Sequence, residues 1–321
     1  MPVPEEAPDP QPRLLQAACS PTPRIVSASR RTDIPAHFSE WLLRRIAAGH
    51  CLMLQPFSRR WVEVSLRPED VLGMVLWTRN IGPLLLRLEE LTSRYALYVQ
   101  FTVTGFGPEL EPGTLATDAA LAQLRELAQR LGPDGVVWRF DPIIHTQHGG
   151  APETVERFQR LADHLAGSVR DCVTSFMSPY RRQERAFKLA GLEHHELAAE
   201  ERLSLAERLT GLAVERGMSL GWCCCPDVAA AGYAQAHCID VARLVRLGAA
   251  GTGGTPPGPS REGCGCARCV DIGAYDLCGA GCRYCYANQS HAAAARNLTR
   301  HCADHLALAQ ALPGVPDPEP R

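Results

Sequence analysis

Three cysteines, Cys278, Cys282 and Cys285, stand in the run Cys-Gly-Ala-Gly-Cys-Arg-Tyr-Cys, separated by three and then two residues. Thiolates are soft, charged ligands suited to iron and zinc. Three of them can hold three irons of a [4Fe–4S] cluster and leave the fourth open, which makes a place for chemistry. Gly279 and Gly281 let the backbone fold tightly around such a group. Zinc ribbons instead prefer paired knuckles with two intervening residues, so this spacing favours iron.

Ten of the fourteen cysteines lie between 223 and 285. Beyond the three above, Cys225, Cys238, Cys264 and Cys266 make a four-thiolate set suited to a second iron–sulfur cluster or a structural zinc. Cys225 is taken from the triplet Cys223, Cys224 and Cys225 because Pro226 ends the run beside it. Cys269 is a further candidate or a bystander. Any single one could be a reduced buried thiol, but the set is too dense for that reading. Cys51, Cys172 and Cys302 are isolated and read as core or surface thiols. A disulfide framework is the rival, yet 321 residues can bury a core without staples.

Apolar residues at 45% and charged residues at 21% describe an ordinary globular chain. No apolar run is long enough to span a bilayer. A net charge of −2 gives no clear nucleic-acid signal. Residues 1–23 are rich in proline and acid, unlike a secretory or transit peptide, and are expected to be a disordered lead-in. The expected compartment is the cytoplasm.

Short apolar runs alternate with helical patterns. Strands are predicted at 24–28, 73–78, 95–103, 135–140, 169–176 and 218–222. Helices are predicted at 36–48, 83–92, 118–131, 152–165 and 196–216. Six βα units predict a parallel sheet covered by helices. The dinucleotide fingerprint G-x-G-x-x-G is missing, and every strand ends in its own polar cluster, so the expectation is an α/β fold of the partial (βα)6 TIM-like barrel kind over 24–247. A Gly/Pro-rich loop follows at 248–263, then a cysteine-rich iron–sulfur module with a C-terminal helix at 264–312, and a disordered tail at 313–321.

The carboxyl ends of the strands are where α/β folds place their sites. Arg31 and Asp33 follow the first strand, Arg79 the second, and Arg139 and Asp141 the fourth. Arginine forks suit a carboxylate or phosphate, so these residues would grip an anionic ligand or brace one another. His145, His148, His194 and His195 lie in polar stretches and read as solvated.

Taken together, Ser27-Ala-Ser-Arg-Arg-Thr-Asp-Ile-Pro35, Leu76-Trp-Thr-Arg-Asn80, Gln100-Phe-Thr-Val-Thr-Gly105, Val137-Trp-Arg-Phe-Asp-Pro142 and the stretch from Cys264 to Asn288 resemble the DUF1848 family. The resemblance runs over residues 24–288. That family has no assigned function, and its C-terminal cysteine cluster is similar to the cluster of radical S-adenosylmethionine (SAM) proteins. The resemblance implies a radical-SAM-like enzyme in which SAM chelates the open iron and one electron cleaves its sulfonium, leading to hydrogen-atom removal from substrate. It implies Tyr284 as an adenine neighbour, and Tyr286 and Asn288 would orient the cluster loop or cap a helix. One departure from the family stands out: Cys269 stands where it usually has serine or a similar residue. Two more are departures from radical SAM enzymes, which carry the motif after the first strand whereas here it follows the barrel, and no Gly-Gly-Glu-type segment follows the second strand.

Three functions are consistent with these residues. The first is a radical SAM-type enzyme acting on an unknown small-molecule substrate, reduced by a partner such as flavodoxin or ferredoxin. The others are a non-enzymatic iron–sulfur electron carrier and a zinc-stabilised binding module.

Overall fold

Runs of β-branched and aromatic residues form strands because such side chains fit a pleated surface buried on both sides. In the computed structural model, which describes residues 14–15, 23–178, 181–251 and 255–315, these are β1 (Arg24–Ala28), β2 (Val71–Thr78), β3 (Leu97–Thr102), β4 (Val136–Ile143), β5 (Asp171–Phe176) and β6 (Ser219–Trp222). A further strand, β7 (Val270–Asp271), comes from the cysteine-rich end of the chain. The lead-in expected at 1–23 and the tail expected at 313–321 fall largely outside the described residues.

All neighbouring strands are parallel, in the order β7-β1-β2-β3-β4-β5-β6. Strands β1 to β6 lie side by side in the order in which they occur along the chain, without the reversal of order that creates the crevice of a doubly wound sheet. The sheet is nevertheless open. The expected partial six-stranded barrel is therefore seen as a seven-stranded parallel sheet, with β7 added beside β1. The cysteine-rich segment is thereby sewn into the sheet by backbone hydrogen bonds, in the register Val270 to Val26 and Asp271 to Ser27.

Successive side chains on a strand point to opposite faces. Val26, Leu76, Phe101, Trp138 and Trp222 share one core with residues of the helices Ser39–Ala48, Thr117–Leu131, Ala151–Leu165 and Ala199–Glu215. Trp138 stacks on Phe158 there, with ring centroids 5.1 Å apart. On the other face Ile25, Val75, Tyr98, Val137 and Val173 are covered by Ala236, Cys238, Ile239 and Leu244. The residue two positions further along each of these strands is Ser27, Trp77, Gln100, Arg139 or Ser175. A core face thus turns polar at the carboxyl ends through nothing more than the period of the strand.

Some elements differ from expectation. The helix expected at 83–92 is two short ones, Gly82–Leu85 and Glu89–Thr92. The helix expected to run to 312 stops at Thr299, after which the chain turns to meet the body. There the Trp41 indole donates to the carbonyl of His305 at 2.8 Å, and the Leu52 amide to that of Leu306 at 2.8 Å. Leu52 belongs to an unanticipated antiparallel pair, His50–Leu54 with Trp61–Ser65, joined by Leu14–Leu15. Among the described residues no helix is long and apolar enough to cross a membrane.

Candidate functional site

The polar strand ends surround a cavity of about 540 Å³, within the range of about 300–1,000 Å³ usual for ligand pockets. Its wall includes residues from the carboxyl ends of β1 to β6, together with Cys278, Cys282 and Cys285 and with Cys223, Cys224, Cys238, Cys264 and Cys266. The structure therefore brings both groups of thiols to the strand ends, although one follows the last long strand by more than fifty residues of sequence.

Two buried carboxylates fasten this arrangement. Asp271 accepts from the hydroxyls of Ser27 at 2.9 Å and Ser29 at 2.5 Å and from the Arg30 amide at 2.9 Å, which locks β7 onto the end of β1. Asp33 accepts from the Ala36 amide at 3.0 Å, the Thr78 hydroxyl at 2.7 Å and the Arg79 amide at 2.7 Å. It caps the short helix Ile34–His37 and ties β1 to β2. Burial raises its pKa, against the lowering effect of those donors. Both of its oxygens are engaged by the protein, so Asp33 acts as a brace.

The cysteine loop is held from several sides. The Asn288 amide donates to the Cys278 carbonyl at 2.7 Å, the Arg283 amide to Leu110 O at 2.9 Å and the Gly113 amide to Ala280 O at 3.1 Å. A Cβ on Gly113 would sit 2.7 Å from Ala280 O, so only glycine permits that approach. Gly281 adopts φ +68°, the left-handed region that favours glycine. Burial pushes the thiols of Cys278 and Cys282 up to about 12 and that of Cys285 up to about 11.

Tyr284 is buried, and its hydroxyl donates to Glu111 and accepts from Arg79. Arg79 also pairs with Glu111 at 2.9 Å, and Thr104 donates to the same carboxylate oxygen at 2.6 Å. Tyr284 thus clamps the cysteine loop to the segment after β3 while its ring lines the cavity. Tyr286 is partly exposed on the cavity wall and donates to the Arg30 carbonyl at 2.8 Å. Asn288 is buried, and its Oδ1 has no hydrogen-bond partner among the described residues.

Among the arginines, Arg139 is buried, stacks 5.0 Å from the Trp77 ring, and donates to Asp141 and to Cys238 Sγ at 3.2 Å. Asp141 also accepts from Ser175. Arg31 differs from Arg79 and Arg139 in having no carboxylate partner among the described residues. It reaches the Gly273 carbonyl at 3.4 Å and lies 5.2 Å from the Tyr275 ring.

Of the cysteine triplet, Cys223 and Cys224 reach the cavity wall while Cys225 packs in the core shared with the helices, its thiol donating to the Cys223 carbonyl at 3.3 Å. Cys225 is therefore not brought together with Cys238, Cys264 and Cys266. Hydrogen bonds shared with Cys223 and Cys266, with the Arg139 charge beside them, hold the Cys238 thiol well below its usual range. The Cys223 hydrogen bond and Arg261 likewise pull Cys224 down to about 6. Cys269 receives a hydrogen bond from Arg30 at 3.4 Å. Among the described residues no three His, Cys, Asp or Glu side chains converge on the position of a single ion.

Sequence reasoning missed Glu111, Arg261 and Tyr275. Tyr275 lay inside the motif Asp271-Ile-Gly-Ala-Tyr275 and was open to notice; Glu111 sits in a loop with no periodic signal. His145, expected to be solvated, is buried with its ring 3.2 Å from the Thr154 hydroxyl.

A family model described as "Domain of unknown function (DUF1848)" matches residues 25–287, and the chain belongs to that family. No curated protein and no solved structure matches it.

Proposed function

We propose that the chain is an iron–sulfur enzyme of the radical SAM type, in which Cys278, Cys282 and Cys285 hold three irons of a [4Fe–4S] cluster and a strand-end cavity takes SAM and a small substrate. The observation that carries this reading is the shared cavity: a three-thiol run that would leave one iron open lines the same space as the ends of six strands. In this reading the open sheet is a partial barrel whose mouth is that cavity.

The residues present fit the group. The three thiols are free, the loop backbone is fixed by Asn288 and by the close approach at Gly113, and a buried Asn288 oxygen beside the loop lacks a donor from the described residues. When bound, the reduced cluster with SAM supplies one-electron cleavage of the sulfonium and thereby hydrogen-atom abstraction.

The chain's own residues would bind, orient and brace. Arg31, with no carboxylate of its own among the described residues, suits the carboxylate of a ligand, and Tyr275 and Tyr286 offer partly exposed rings on the same wall. Arg79 and Tyr284 keep the cysteine loop against the strand ends, and Asp33, Arg139 and Asp141 hold the ends in register. Such a cluster needs a reductant of the flavodoxin or ferredoxin kind and a reducing compartment, which suits the cytoplasm.

The test is anaerobic purification, then dithionite reduction in the presence of SAM. Methionine and 5′-deoxyadenosine should form and should vanish in Cys282→Ala. A wild-type protein with its full complement of iron that neither binds nor cleaves SAM would refute the reading.

A further inference from the structure

We infer that Cys223 and Cys238 are a redox-active dithiol, and that the strand-end cavity admits a small disulfide bearing carboxylates with which they exchange. The pair does not depend on a cluster at Cys278, Cys282 and Cys285. Cys223 follows β6 directly, and its amide donates to the Thr174 carbonyl at 2.8 Å. Cys238 arrives on a loop laid along the same strand, where the Trp222 amide donates to Ala234 O at 2.8 Å and the Ala236 amide to Trp222 O at 3.0 Å. The Cys238 carbonyl is pinned in turn by the Tyr98 hydroxyl at 2.8 Å and the Gln100 amide at 2.9 Å. Both backbones are fixed, their sulfurs touch at 3.7 Å, and both residues line the cavity.

Packing alone does not call for this contact. Cys51 and Cys172 show the alternative, buried in the helix-side core as small hydrophobes. The sulfur of Cys238 instead faces a buried guanidinium, with Arg139 Nη1 at 3.2 Å, which stabilises the negative charge a sulfur carries when it attacks. Cys224 Sγ lies equally near Cys223, at 3.6 Å, but the peptide between them is trans. Consecutive Cα atoms then stand about 3.8 Å apart, short of the about 4.4–6.8 Å that a disulfide spans. Cys238 is therefore the partner of Cys223.

In the exchange, the Cys238 thiolate attacks one sulfur of the ligand disulfide, the bond between the ligand sulfurs breaks, and one thiolate leaves. Cys223 then attacks the Cys238 sulfur and expels the second. The proton of each protein thiol ends on one leaving sulfur. Two cysteines are oxidised to a disulfide and the ligand is reduced to two thiols, so electrons balance without another oxidant. The choice of carboxylates rests on Arg31 and Arg261, which share the cavity wall and have no carboxylate partner among the described residues.

The test uses the full chain, purified anaerobically, reduced and desalted, with dithiodipropionate as the anionic probe and cystamine as the cationic one. Dithiodipropionate should leave a disulfide joining the chymotryptic peptides on either side of Tyr233, with fragmentation placing it at Cys223 and Cys238. Cys223→Ser should stop at a mixed disulfide on Cys238, and Cys225→Ser should match wild type. The same bridge should form in Cys278→Ala/Cys282→Ala/Cys285→Ala. With each probe's rate taken relative to its reaction with mercaptoethanol, cystamine should be slower by about tenfold or more at low salt. Equal relative rates would overturn the assignment of carboxylates. Wild type in which Cys223 and Cys238 both remain free thiols, or in which Cys238 bridges to Cys264 or Cys266 instead, would overturn the dithiol. The wild-type map alone decides this, whether or not the variants fold, and it is read independently of SAM cleavage.

Discussion

Replacing Glu111 with alanine should damage the protein more than any exposed charge would. Arg79 and Glu111 are 2.9 Å apart with side chains only 15% and 4% exposed, and Thr104 and Tyr284 donate to the same carboxylate. Removing one partner of such a pair leaves a guanidinium that cannot neutralise itself in a buried site, at a cost of about 3–5 kcal/mol. Adding about 1–3 kcal/mol for each of the three broken bonds would count the same desolvation repeatedly, so the lower range is the working figure. At roughly 2 °C per kcal/mol for a chain of this size, the melting temperature should fall by about 6–10 °C. The assay is thermal and urea unfolding of the metal-free protein under reductant, so that cluster loss does not enter. Arg79→Met/Glu111→Ala should be more stable than Glu111→Ala alone, because the stranded charge is gone. A loss below about 1 kcal/mol for Glu111→Ala, or a double variant worse than the sum of the singles, would refute the reasoning.

Two other perturbations are set by the same kind of local geometry. Burial, with His305 nearby, lowers the pKa of His301 to about 4, while the unfolded chain titrates near 6.5. Between those values the unfolded state takes up the proton first, so this group's contribution is intact above about pH 6.5 and is lost as pH falls toward 4. Because the ring is only half-buried the loss is discounted to about 1–2 kcal/mol, and His301→Leu, which keeps the contact with Phe38, should flatten the urea-stability profile over that interval relative to wild type. Gly113→Ala should force the backbones at 113 and 280 apart, since its Cβ would meet Ala280 O at 2.7 Å. A loss of about 1–3 kcal/mol in unfolding and a lower iron content after reconstitution are expected.

The strands were legible because a parallel sheet buried on both faces writes itself as near-continuous apolar runs. What escaped depends on distant partners. The pair His50–Leu54 and Trp61–Ser65 is short, with Glu63 interrupting its pattern, and one side is completed by Leu306 from the far end of the chain. The two residues of β7 carry no periodicity at all. They form a strand because Asp271 collects Ser27, Ser29 and the Arg30 amide. The helix beginning at His291 ends early because Leu306 and His305 supply carbonyls to Leu52 and Trp41, a tertiary demand that overrides local propensity.

The site was legible by residue type and not by pairing. Arginines and acids at strand ends could be named, but that Arg79 would spend its charge on Glu111 while Arg31 meets no carboxylate among the described residues depends on where the loop after β3 returns. For the cysteine triplet the decisive signal was present. Trp222 and Leu220 belong to the core shared with the helices, so the period of the strand turns Cys223 to the opposite face, where Cys238 and Cys266 lie. The positive φ of 53° at Cys224 then breaks that period, so alternation no longer governs Cys225, which returns to the helix side. Pro226 marked where the run ends, but the alternation before it marked which sulfur faces the cavity. Cys223, rather than Cys225, is therefore the residue of the triplet that joins Cys238 and Cys266 on the cavity wall.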